Sequence, residues 1–368
     1  MFKFNEIRKM HIEISNRCQA SCPMCPRNIK GSIENPLIQN AEWTLSEFKT
    51  IFNSDLLEHL EFLTMCGAFG DPMMNDDVLD MCKHLRDTSN ITLHLHTNAS
   101  ARKPEWWAEL ARSMPKEHRV VFALDGLADT QALYRVGTDW HKVIENAKAF
   151  ISAGGLATWH FVRFRHNEHQ VDACRQLAKE LGFKTFIVRN TRRFDAADFK
   201  VYNRKGKVTH ILQQPTDNVI KFVDRAALEG WKSWDKASEM NCYALDTHEI
   251  YVDAHRTLLP CCITASFMYT NYDKSVEQKL GIFDPISSQH DIGSEIQQQW
   301  WDTINELGGL EALDARKGIK EIMETPAWQT LLKKKWGENS SGVCTVMCSA
   351  SSPFLAMLDQ KALQEELN

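Results

Sequence analysis

Cys18, Cys22 and Cys25 lie in the string Cys18-Gln19-Ala20-Ser21-Cys22-Pro23-Met24-Cys25, directly after a short alternating apolar run. Three thiolates at these spacings can each ligate one iron of a cubane. An ordinary [4Fe–4S] centre takes four cysteines, so such a site leaves one iron open for chemistry. Zinc is the competing reading. It prefers paired CxxC knuckles or Cys/His sets with four ligands, and no fourth ligand follows here at knuckle spacing.

Further polar groups fall where predicted strands end. Gly70-Asp71-Pro72 follows the second strand, and His96-Thr97-Asn98 closes the third. Ala123-Leu124-Asp125-Gly126 closes the fourth, and Arg163 stands near the end of the fifth. Parallel α/β folds bind ligands at the carboxyl ends of their strands.

The elements that position these residues are legible as an alternation. Strands are expected at Met10–Ser15, Phe62–Cys66, Ile91–Thr97, Val120–Asp125, Ala157–Arg165 and Lys184–Val188. Helices are expected from Thr44 or Ser46, then over Asn75–Arg86, Pro104–Ser113, Lys142–Ser152 and Gln170–Leu181. Thr44-Leu45-Ser46-Glu47 offers an N-cap with an early acid, and Gly182 offers a stop. Such alternation implies a parallel sheet built by right-handed crossovers. On the third strand His94, His96 and Asn98 share the face opposite Leu93 and Leu95, so that polar face is expected to look inward. Beyond Asn190 the rhythm breaks. Residues 192–214 read as polar and irregular, 218–234 as a helix, and 249–259 as a hairpin. Helices are expected around 295–307 and 318–336, and the ending 356–368 reads as a short amphipathic or frayed helix.

The chain resembles the radical S-adenosylmethionine (SAM) superfamily, whose signature is CxxxCxxC. The resemblance implies an α/β fold, a partial (β/α)6 TIM-like barrel, and an open iron that chelates the amino and carboxylate groups of SAM. It also implies reductive cleavage of SAM to a 5′-deoxyadenosyl radical that abstracts a substrate hydrogen atom. Gly70, Asp71 and Pro72 match the family's Gly-Glu-Pro, with aspartate for glutamate. Asn98 matches Thr-Asn-Gly, with Ala99 in place of glycine. Asp125 matches Ser-x-Asp-Gly, with Ala123 in the serine position. Met24 falls where the family packs a residue against adenine, and Arg163 is the candidate for the SAM carboxylate. The stretch Asp129–Gly137 resembles members that carry SPASM or twitch domains.

Tyr251-Val252-Asp253-Ala254 through Leu259-Pro260-Cys261-Cys262 is similar to the SPASM and twitch hairpin, with Arg256 where glycine is usual. The resemblance implies one auxiliary [4Fe–4S] cluster on Cys242, Cys261, Cys344 and Cys348, with Cys262 spare or alternative and a structural zinc as the competitor. Cys66, Cys82 and Cys174 read as small core residues. The implied organisation is a core at 1–190, a connecting helical segment at 191–240, a smaller C-terminal α+β auxiliary domain at 241–350, and a tail or helix at 351–368.

The expected enzyme is a radical SAM oxidoreductase or maturase. It would oxidise or couple a small molecule or short peptide, using a flavodoxin or ferredoxin-type electron donor. A peptide maturase that forms a cross-link is the alternative, and a non-catalytic iron–sulfur or zinc protein is the alternative from another class. The chain reaches its cysteine strand within about ten residues, less than a usual domain, so no leading peptide-recognition domain is expected. At 368 residues with a net charge of −5, the chain shows no basic footprint for nucleic acid. No apolar run of membrane length occurs, and no signal peptide is read at the start. Eleven cysteines in a cytoplasmic protein argue for metal or redox chemistry over disulfides.

Overall fold

The computed structural model describes residues 2–191, 193–194, 198–217, 241–269, 275–279, 291–329, 342–348 and 363–367. Its frame is a run of parallel strands separated by helices. The strands are β1 (Lys9–Ile12), β4 (Phe62–Met65), β5 (Thr92–Thr97), β6 (His118–Ala123), β7 (Ala157–Arg163) and β8 (Thr185–Asn190). A small antiparallel pair, β2 (Asn28–Ile29) and β3 (Ile33–Glu34), follows the cysteine loop. The intervening helices are α1 (Leu45–Ile51), α2 (Val78–Thr88), α3 (Pro104–Ser113), α4 (Trp140–Ser152) and α5 (Val171–Leu181). Thr44 caps α1 through a reciprocal box with Glu47, and left-handed Gly182 ends α5.

The core lies between the sheet's outer face and these helices. Leu93 and Leu95 on β5 are fully buried there, and Trp107 on α3 packs at a tilt against Phe122 on β6, with ring centroids 5.3 Å apart. The opposite, inner face is polar along β5, as the alternation of His94, His96 and Asn98 predicts. The architecture is the expected mixed α/β type with a large, mainly parallel sheet.

Three elements depart from expectation or add to it. Residues 192–214 are not irregular throughout: β9 (Asp198–Tyr202) and β10 (Val208–Gln213) form an antiparallel hairpin. Its turn is closed by the Asn203 side chain, whose Oδ1 accepts from the N–H groups of Lys205 and Lys207. Its apolar side, Phe199, Val201 and Leu212, packs with Met24, Tyr134 and Phe164.

The second is the hairpin of β11 (Glu249–Val252) and β12 (Leu258–Leu259), which forms as expected and also joins the main sheet. β11 pairs in parallel with β1, setting Met10 beside Ile250 and Ile12 beside Val252. The third is the ending. Leu363–Glu366 is a strand, β13, antiparallel to β8, and not part of a helix; unpaired edge groups on β8 override the helix-forming composition of these residues. The full order is β12-β11-β1-β4-β5-β6-β7-β8-β13.

After the hairpin come α6 (Cys262–Met268), α7 (Asp291–Glu306) and α8 (Gly342–Cys348). The expected helix at 318–336 is represented by Ile319–Met323. The helix expected at 218–234 lies outside the described residues. Among the described residues, no helix is long and apolar enough to cross a membrane.

Two positions where glycine was expected by resemblance adopt left-handed backbone. Ala99 has φ +55° and Arg256 has φ +68°. Arg256 is held there by an ion pair to Glu47 at 3.0 Å and by donation to the Ala254 carbonyl.

Candidate functional site

At the carboxyl ends of the parallel strands lies a cavity of about 800 Å³, lined in part by Cys18, Cys22 and Cys25. The loop carrying these thiols follows β1 and is braced by the segment after β6, where Ser21 N–H donates to the Val136 carbonyl at 2.7 Å. The Asp129–Gly137 stretch thus acts as a buttress for the cysteine loop. Burial pushes the Cys22 thiol up to about 11, and nearby Arg135 pulls it the other way. Burial likewise raises the Cys18 thiol. A thiolate ligand must lose its proton on binding metal, and hydrogen-bond donors beside the sulfur favour that form. Both are present: Asn98 Nδ2 is 3.6 Å from Cys18 Sγ, and Arg135 Nη1 is 4.0 Å from Cys22 Sγ. Three thiols facing one cavity, two with such donors, are a fitting donor set for an iron–sulfur cluster. Among the described residues no group of three or more His, Cys, Asp or Glu side chains is drawn together around a single-ion position.

Gly70, Asp71 and Pro72 form the turn after β4. A Cβ on Gly70 would strike the Ser15 carbonyl oxygen and the Asn16 backbone, so glycine here permits the turn to lie against the end of β1. Glu13 fixes the same turn by accepting from the Phe69 and Gly70 N–H groups at 2.8 and 2.7 Å, and from the Tyr251 hydroxyl at 3.2 Å. Asp71 is buried and lines the cavity. Its carboxylate accepts from Met73 N–H, the Thr97 hydroxyl, and both the backbone and side-chain nitrogens of Asn98. Burial raises its pKa, against the pull of those donors. Pro72 opens the short turn Pro72–Met74 that Asp71 caps.

Asp125 is wholly buried, and its carboxylate accepts from Arg135 Nε at 2.5 Å and from Val162 N–H at 2.6 Å. Asp125 therefore reaches the cavity through Arg135, which lines it. Arg163 also lines the cavity, donating to Asn190 Oδ1 at 3.1 Å and to Asp217 Oδ2 at 2.8 Å. Met24, expected against adenine, is buried beside Cys25. Its side chain packs into the small cluster with Tyr134 and Phe164 beneath the β9–β10 hairpin, and its carbonyl accepts from Arg193.

Besides His96, expected on the inward face of the third strand, the cavity holds residues not singled out from the sequence as site residues: Cys66, Tyr134, Arg135, His160, Arg189 and Arg193. Cys66 corrects the core reading given to it, because it sits where β4 ends and its side chain meets the cavity. Burial pushes its thiol up to about 12, with Cys262 the next contributor. Cys82 and Cys174 are core residues as expected. Burial lowers His96 and His160 to about 3, so both imidazoles are neutral at ordinary pH. The signal for His160 was the period-two alternation itself, since it stands on an inward position of its strand; Arg189 falls one residue beyond the strand expected at Lys184–Val188, and the observed strand runs on to Asn190.

On the other side of β1 the second cysteine set gathers. Cys242 and Cys261 are buried in one small cluster with Ala244. Cys348 is tied to it through its carbonyl, which accepts from Asn241 N–H at 2.9 Å. Burial raises Cys261 well above its ordinary value, and Cys262, Cys344 and Cys348 add to that electrostatically. Cys262 differs from the others in contacting the Tyr243 hydroxyl, at 3.4 Å.

No family model matches the sequence. Over 217 residues the chain is 26% identical to a PqqA peptide cyclase of Bradyrhizobium diazoefficiens, covering 58% of this chain and 53% of that protein. The chain thus spans about half the length of the curated relative it matches. Among solved structures, Streptococcus suis SuiB bound to S-adenosylmethionine is 15% identical, with 92% of this chain and 77% of that chain covered and a TM-score of 0.48. Native anSMEcpe with bound AdoMet is 15% identical, with 93% and 89% covered and a TM-score of 0.49.

Proposed function

We propose that this chain, a member of the radical SAM superfamily, uses SAM and a [4Fe–4S] cluster held by Cys18, Cys22 and Cys25 to abstract a hydrogen atom from its substrate. The observation that carries this reading is the opening of those three thiols into one cavity with Asp71 and Asn98 on one flank and arginines on another. When bound, the cluster and SAM supply the electron and the hydrogen-abstracting group; the protein supplies geometry and electrostatics.

The roles of the chain's own residues follow from their contacts. Asn98 and Arg135 donate towards the sulfurs of Cys18 and Cys22 and offset their negative charge. Asp71 offers an acceptor surface for the SAM ammonium and fastens the ends of β4 and β5 together. Gly70 and Pro72 shape that turn. Asp125 orients Arg135 towards the cysteine loop. Arg163 is a candidate for the SAM carboxylate, and Met24 braces the cysteine loop from below.

Cys242, Cys261, Cys344 and Cys348 hold one auxiliary [4Fe–4S] cluster in this reading, with a flavodoxin or ferredoxin-type protein as electron donor. The chain then divides into a core at 1–190, a connection at 191–240, an auxiliary region at 241–350 and a tail at 351–368. β11 and β13 reach back to the core sheet. A cytoplasmic setting suits the eleven free thiols. The name of the relative, a peptide cyclase, supports a peptide substrate and a cross-linking reaction; oxidation of a small molecule is the second reading, supported by a cavity of about 800 Å³, a size that suits a small ligand.

Anaerobic iron and sulfide analysis tests the cluster assignments. Reconstituted protein is expected to hold about eight irons, falling to about four in Cys18/Cys22/Cys25→Ala and to about four in Cys242/Cys348→Ala. Zinc in place of iron at the second set removes the auxiliary cluster from the account. Metal without release of 5′-deoxyadenosine from SAM would instead favour a redox or scaffold protein.

A further inference from the structure

The four arginines of the cavity differ in what already neutralises them. Arg135 is paired with Asp125 and points at Cys22. Arg163 is paired with Asp217. Arg193 donates to the Met24 carbonyl and lies in the field of Cys22 and Cys25. Arg189 is the exception: it lines the cavity as an exposed side chain open to whatever enters, and its guanidinium meets no carboxylate among the described residues.

Its surroundings make this imbalance informative. In the sheet register Arg189 lies beside Val162, one inward position above the layer of His160 and Ile187. Val162 and Ile187 offer it no charge. His160 and His96 are neutral, held so by burial first and by the Arg189 charge among other causes. The Nε2 atom of His160 is itself buried without a hydrogen-bond partner. One unmatched cation and one orphaned imidazole nitrogen thus occur on adjacent layers of the same cavity wall. A buried polar atom without a partner is costly, and a guanidinium fork is shaped to hold an oxyanion through two parallel bonds.

We propose that Arg189, with His160 beside it, anchors an oxyanion of the substrate, so that the substrate carries a carboxylate or a phosphate at a fixed distance from its reacting carbon. This deepens the radical SAM reading and rests on it for the word substrate. The anchor lies on the β7–β8 wall, whereas Asp71 and Asn98, the partners suited to the SAM ammonium, lie at the ends of β4 and β5.

The test is anaerobic titration calorimetry of cluster-loaded, SAM-saturated protein with glutarate and, separately, with inorganic phosphate. One of the two anions is expected to bind with one-to-one stoichiometry, and which one distinguishes carboxylate from phosphate. Arg189→Gln is expected to weaken that binding about tenfold or more, with Arg189→Lys intermediate. Arg165→Gln, altered at an exposed arginine whose side chain meets Gln213, is expected to bind as wild type does.

The proposal is overturned if neither anion binds, if Arg189→Gln binds like wild type, or if Arg165→Gln loses as much as Arg189→Gln. Anion binding that disappears when SAM is added also overturns it, because Arg189 would then serve SAM itself. If wild-type protein releases no 5′-deoxyadenosine from SAM while anion binding still depends on Arg189, the anchor stands and the radical SAM reading falls.

Discussion

Asn98 donates twice to the same oxygen of Asp71, from its backbone nitrogen at 2.8 Å and from its side-chain nitrogen at 2.6 Å. The same side-chain nitrogen lies 3.6 Å from Cys18 Sγ. One buried carboxylate therefore fastens the ends of two strands and, through Asn98, the cysteine loop. Asp71→Asn would set an amide N–H₂ against groups that are themselves donors. It is expected to cost about 1–3 kcal/mol, read by denaturant unfolding. A variant as stable as wild type would mean that Asp71 is not the fastening point.

The Asp125–Arg135 pair is buried, with side-chain exposures of 0% and 17%. Breaking a buried pair from one side costs about 3–5 kcal/mol, because the remaining charge loses its partner. Arg135→Met is expected to fall in that range. Adding Asp125→Asn should recover part of the loss, since asparagine keeps an acceptor for Val162 N–H. Strict additivity in that double-mutant cycle would deny the coupling.

Burial raises Glu13 to about 7. A carboxyl whose folded pKa exceeds its unfolded value stabilises the fold fully below the unfolded value, and that contribution is lost as pH rises through about 7. Glu13→Gln keeps an acceptor for the Phe69 and Gly70 N–H groups and removes the titration. The melting temperature of the variant relative to wild type should therefore rise between pH 5 and pH 8. A difference that is flat across this window contradicts the raised pKa.

Ala99 is fully buried at φ +55°. Left-handed backbone costs a β-carbon residue about 1–2 kcal/mol. Replacing it with glycine relieves that strain, but gives up a buried methyl worth about 0.8 kcal/mol and adds unfolded-chain entropy of about 0.5–1 kcal/mol. These offset, so Ala99→Gly should lie within about 1 kcal/mol of wild type. Ala99→Val, a β-branched residue in a region such residues avoid, should be destabilised well beyond that. Equal stabilities for the two variants would show that the backbone relaxes at this position.

The parallel strands, the α1 cap and the inward face of β5 were legible because each depends on local spacing. The triad was legible because its chemistry sits within eight consecutive residues. Arg135 as a neighbour of Cys22 leaves no local mark, since that contact joins positions 113 residues apart. Cys66 read as core because apolar neighbours flank it, and only the strand end reveals its cavity side. The pairing of β11 with β1 crosses most of the chain and leaves no local mark. β13 carries helix-forming residues, and an open sheet edge decides its conformation. The packing of Met24 under the β9–β10 hairpin was not legible, because that hairpin lies in a polar stretch.

If SAM is cleaved at the Cys18, Cys22 and Cys25 cavity, the reaction has a direct readout. Anaerobically reconstituted protein, reduced with dithionite and mixed with SAM, should form 5′-deoxyadenosine detectable by mass spectrometry, and Cys22→Ser should form none above the protein-free control. No 5′-deoxyadenosine from wild type across a panel of peptide and small-molecule additions, or an unchanged yield from Cys22→Ser, would contradict cleavage at this cavity.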